Sequence, residues 1–92
     1  MARDLLASLG NLATEEPEWT YTHSSNVVAL RLWKEHPSWH RPVIEVHYKS
    51  GRTYGYSAGA NTFRAILGSG SRGKAVNRLL KPLGFIFDYH GM

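Results

Sequence analysis

The sequence predicts an α+β domain built on an antiparallel sheet of three or four strands with helices packed on one face. Three observations carry that expectation. NVVALRLW and PVIEVHYKSGRTYGYS alternate apolar and polar residues with the period of strands, helical spacing replaces alternation after Gly59, and alternation returns in GFIFDYH at the end. The 92 residues, 42% of them hydrophobic, suffice for one small core, and the absence of cysteine leaves that core without disulfide staples.

Each element follows from its own residues. Leu5, Leu6, Leu9 and Leu12 recur at helical spacing and predict a short amphipathic helix over residues 4 to 12, weakened by Gly10. TEEPEW is a polar connection in which Pro17 prevents continuation, so residues 1 to 18 read as a helix and acidic leader, and residues 19 to 92 as the domain proper. In NVVALRLW, Val28, Leu30 and Leu32 fall on one face. The two prolines of KEHPSWHRP end that strand, and the next two strands join at Ser50-Gly51, a hairpin signal. Ile44, Val46 and Tyr48 point one way while Glu45, His47 and Lys49 point the other, which predicts one covered face and one wet face. NTFRAIL makes about two helical turns from a cap at Asn61, and a second helix opens at Ser71 and runs through Val76, Leu79 and Leu80 until Pro82 and Gly84 stop it. GFIFDYH closes as a strand able to join this sheet or a neighbour's edge.

Charge narrows the class of partner. Residues 1 to 20 hold Arg3 against Asp4, Glu15, Glu16 and Glu18, so the rest of the chain carries ten Lys or Arg against Glu35, Glu45 and Asp88 alone. A basic body of that kind favours an anionic partner, a nucleic acid or a nucleotide. The chain has no run of eighteen apolar residues for a membrane, the apolar stretch in residues 1 to 19 is too short to be expected to act as a signal sequence, and cysteine-free composition suits a cytoplasmic setting.

The stretch GSGSRGKA, residues 68 to 75, matches the phosphate-cradling loop of nucleotide hydrolases except at its last position. There Ala75 stands where a hydroxyl would ligate magnesium, a helix rather than a strand precedes the loop, and no acidic strand follows. Hydrolysis is therefore excluded as a reading, and two others stay open: a helix start capped by Ser71 with Gly70 and Gly73 packed closely, or an anion site at that start joined by Arg72 and Lys74. Lys74, Arg78 and Lys81 recur at helical spacing and predict a cationic stripe opposite Val76, Leu79, Leu80 and Leu83.

The order SSNVVALRLW, VHYKSGRTYGYS, SRGKAVNRLLK resembles the KTSC domain, a short module first noted at the C-terminus of some lysyl-tRNA synthetases. The family also occurs as small free-standing proteins, many in phages and prophages. Its pattern falls on Ser25, Tyr48, Gly51, Tyr54, Tyr56, Ser71, Gly73 and Asn77, and covers about residues 24 to 81. The resemblance implies an α+β fold and brings neither an established activity nor an agreed ligand. KEHPSWHRP and both ends of the chain lie outside the pattern.

Candidate chemistry is sparse elsewhere. His36 and His40 have the spacing of metal ligands on a helix, but Pro37 breaks that helix and no third ligand is near in sequence, so no metal is expected. Three scattered acids make no acid–base pair, and no cofactor motif is present. These residues point to a non-enzymatic binder of a phosphate-bearing ligand through Arg72, Gly73, Lys74, Arg78 and Lys81, with Tyr54, Tyr56 and Trp39 as stacking surfaces. Such a protein, if phage-encoded, would suit the sequestering of a nucleotide signal. The rival expectation is an accessory protein of a phage or mobile element that inhibits a host protein by direct contact through its two ends and the tryptophan loop. The N-terminal helix and C-terminal strand are the segments expected to serve self-association.

Overall fold

Alternation builds a meander of five antiparallel strands in spatial order β1-β2-β3-β4-β5. They are β1, Thr20–Tyr21; β2, Val27–Trp33; β3, Val43–Tyr48; β4, Arg52–Tyr56; and β5, Phe87–His90. The computed structural model describes residues 15–92, and the helix expected over residues 4 to 12 lies outside them. The strand count exceeds the expected three or four. A two-residue strand leaves no alternation to read, and β1 exists only because Thr20 and Tyr21 lie against Leu30 and Ala29.

Two helices interrupt the meander between β4 and β5: α1, Ala60–Leu67, and α2, Arg72–Leu79, followed by a short 3₁₀ turn over Lys81–Leu83. The first starts earlier than expected. Gly59 occupies the cap position and Asn61 sits within the helix, where its side chain accepts from Arg64. Ser71 does cap the second, accepting from the Lys74 amide. Ile66, Ala75, Val76 and Leu80 are fully buried against Val27, Leu30, Ile44, Val46, Tyr48 and Tyr56, and this layer is the core.

One irregularity changes which residues enter that core. A bulge between Val27 and Ala29 shifts the register of β2 against β3, so Val27 faces the helices where Val28 was expected. The extra residue restores Leu30 and Leu32 to the inner face opposite Val46 and Ile44.

The face away from the helices is not wet. Arg31, Trp33, Val43, Glu45 and Thr53 are all buried there, because the chain on either side of the sheet folds over it. From one side, Trp19 lays its ring 4.3 Å from the Arg31 guanidinium, and the Pro17 carbonyl accepts from Arg31 at 3.4 Å. From the other, the loop between β2 and β3 brings His36 against Trp33 and Phe87, and stacks Trp39 on Phe87. At the centre the Glu45 carboxylate accepts from Arg31 Nε and from Trp33 Nε1, both at 2.6 Å. Alternation correctly separates the faces but is blind to what lands on them.

Gly55 positions this second layer. A Cβ there would enter the ring of Phe87, which lies over the bare backbone. Beside Phe87, Tyr89 reaches Glu45, and burial, reinforced by that carboxylate, pushes the Tyr89 phenol up to about 12.

Candidate functional site

The helix-covered face leaves one end of its tyrosine row open. Tyr48, Tyr54 and Tyr56 come from β3 and β4, and Lys81 and Phe85 from the segment after α2, and together they border a pocket of about 400 Å³. Asn26 and Ser50 supply polar groups at its rim. The size suits a single small planar ligand.

Inside it the tyrosines differ in role. The Tyr48 and Tyr56 hydroxyls meet at 3.0 Å, and both side chains are buried. Burial above all pushes both phenols above their usual range, so they act as neutral hydrogen-bonding groups. Tyr54 is half-buried, edge-on to Tyr48 at 5.5 Å and tilted against Phe85 at 4.8 Å. Phe85 remains 54% exposed, and so is the apolar rim a ligand would meet first. The Lys81 ammonium stands 5.5 Å from the centre of the Tyr48 ring. Lys81 had been expected on the helical stripe, but α2 ends at Leu79 and the 3₁₀ turn carries the lysine over the tyrosines instead.

The other predicted residues divide. Lys74 and Arg78 are exposed along α2, as expected of a stripe. Arg72 turns back over the loop, its guanidinium 3.4 Å from the carbonyls of Leu67 and Tyr21. It borders a second cleft of about 430 Å³ with His23, Ser24, Ser69 and Gly70. Gly73 is buried and contributes closeness rather than a ligand surface: a Cβ there would strike Ser24 Oγ. Ser24, not Ser25, fills the place opposite that glycine, and its hydroxyl accepts from the amides of Asn26 and Val27.

The expected stacking set is corrected in two respects. Tyr56 is 4% exposed, so it offers its hydroxyl and not its ring. Trp39 lies over Phe87, on the face opposite the tyrosine pocket, and cannot join the same ligand. Sequence reasoning missed Asn26, Ser50 and Phe85, which come to the pocket from three separate segments.

Electrostatically the α2 side is one-signed. None of Arg72, Lys74, Arg78 and Lys81 is in an ion pair among the described residues, whose ion pairs are Arg31 with Glu16 and Glu45, and Arg52 with Asp88. Arg72 and Lys74 also stand in the first turn of α2, where the helix dipole is positive and no acidic residue balances it. No three His, Asp or Glu side chains gather to hold a metal among the described residues. His36 uses Nδ1 to accept from the Ser38 amide, and burial holds its imidazole below the usual range.

No protein-family model matches the chain, and no curated protein matches it. No described helix is long and apolar enough to cross a membrane.

Proposed function

We propose that the protein is a non-enzymatic binder of a phosphate-bearing ligand, a nucleotide or a single-stranded nucleic acid. The observation that carries the reading is Lys81 over Tyr48 at the mouth of the tyrosine pocket. An aromatic pocket beside a cation that has no ion pair among the described residues suits the two things a nucleotide presents, a planar ring and a phosphate. Lys74 and Arg78 extend the positive surface along α2, where the 1.5 Å rise per residue puts Arg72 about 9 Å from Arg78 along the helix axis. Cations in the first turn cost α2 stability, and a bound anion would offset that cost.

The KTSC resemblance of residues 24 to 81 is part of the same proposal. A reducing, cytoplasmic location suits a chain with no cysteine. The biological role within this proposal is that of a phage-encoded protein that sequesters a nucleotide signal.

The test is a fluorescence titration against single-stranded RNA, single-stranded DNA and cyclic oligonucleotides at increasing salt. Binding that weakens with salt and is lost in Arg78→Glu/Lys81→Glu supports the proposal. Absence of binding by every probe at low ionic strength overturns it.

A further inference from the structure

The outer edge of β5 is complementary to itself, and we propose that two copies of this chain pair there, β5 against β5, in antiparallel register centred on Tyr89. No described strand covers that edge, since β4 pairs with the other side of β5 and β1 closes the opposite end of the sheet. The edge also lacks the lysine or proline that commonly blunts such strands.

Backbone direction limits the possible registers. The Gly91 amide donates to the Gly51 carbonyl at 2.7 Å, so the alternation of an antiparallel ladder turns the peptide groups of Phe87, Tyr89 and Gly91 toward β4. Those of Asp88 and His90 therefore point outward, and they are the groups a neighbour must meet. Centring on Asp88 would oppose two carboxylates, and centring on His90 would oppose two imidazoles. Centring on Tyr89 instead sets Asp88 against the partner's His90 and His90 against the partner's Asp88, an acid facing a base on both sides of the axis.

The side chains agree with that choice. Asp88 already accepts from Arg52 Nε at 2.9 Å, so the cross-copy histidine would join an existing charged row on the helix face. On the other face Phe87 would stand opposite the partner's Gly91, as it now stands opposite Gly55. Directly opposed residues of antiparallel strands share a face, so both tyrosine pockets would open on the same side of one ten-stranded sheet. The contact is short, so pairing is expected to depend on concentration.

Light scattering across a concentration series tests the state, and single-cysteine cross-linking tests the register in a chain with no other cysteine. The mass is expected to rise toward twice the monomer, with Tyr89→Cys cross-linking to itself well ahead of Asp88→Cys or His90→Cys. In the unmodified protein, amide exchange at Asp88 and His90 is expected to slow as concentration rises, which serves if Tyr89→Cys folds poorly. A monomer at every concentration, exchange at those amides that ignores concentration, or faster self-cross-linking at 88 or 90 would each overturn the proposal.

Discussion

Gly73 on α2 is pressed against the Ser24 hydroxyl that opens β2, leaving no room for a methyl group between helix and turn. Ser24 cannot easily yield, because its oxygen holds the Asn26 amide at 3.1 Å and the Val27 amide at 3.2 Å. Gly73→Ala is expected to destabilise the fold by about 1–3 kcal/mol through overpacking. Gly70→Ala, with nothing within 4 Å, should stay within about 0.5 kcal/mol of the parent. Urea unfolding of the two variants checks the contrast, and equal losses would mean that flexibility, not closeness, is what the glycines supply.

Arg31 and Glu45 form a buried pair whose partners are replaced with difficulty. Glu45→Gln leaves the Arg31 guanidinium buried between Trp19 and Trp33 with only the exposed Glu16 carboxylate, 3.7 Å away, as counter-charge, and a loss of about 3–5 kcal/mol is expected. Arg31→Met/Glu45→Leu should be less destabilised than Glu45→Gln, because no charge is then stranded. The comparison is read from unfolding midpoints.

Tyr54 and Trp39 lie on opposite faces, so they separate the proposed ligand site from the aromatic loop. Tyr54→Ala is expected to lower affinity for a single-stranded or cyclic nucleotide probe by the equivalent of about 1–3 kcal/mol, the worth of one stacked base. Trp39→Ala should leave that affinity unchanged. The reverse outcome would move the ligand to the second face.

Stability should fall on both sides of a neutral plateau. In the alkaline direction the unfolded tyrosines lose their protons from about pH 10, while Tyr89 holds its own until about 12 and Tyr48 and Tyr56 are raised in the same direction. The folded state then binds more protons than the unfolded one, so stability drops as pH rises from about 10, with the Tyr89 share lost by about 12. In the acid direction His36 is lowered from 6.5, so the unfolded state takes up the proton first and stability declines as pH falls below that value. Denaturation midpoints across pH check both limbs, with Tyr48→Phe expected to flatten the alkaline one.

Much of the fold was legible because short-range physics writes it. Alternation in VIEVHY and RTYGY, the Ser50-Gly51 hairpin and the Ser71 cap all depend on neighbours within a few residues, and each appears where expected. The candidate site was legible in part: the cations were found by helical spacing, but Lys81 lies past the helix end, and Phe85, Ser50 and Asn26 carry no local mark of a pocket.

Local pattern thus settled an α+β chain with an antiparallel sheet, a capped second helix and an uneven basic charge. Tertiary contact decided what covers each face. Trp19, His36 and Trp39 turned an expected wet face into a second aromatic layer over Arg31 and Glu45, and the bulge at Val28 exchanged one valine for another in the core. The physical reason is that alternation assigns a side chain to a side of the sheet, whereas burial is set by distant segments that must find partners for their own apolar and charged groups.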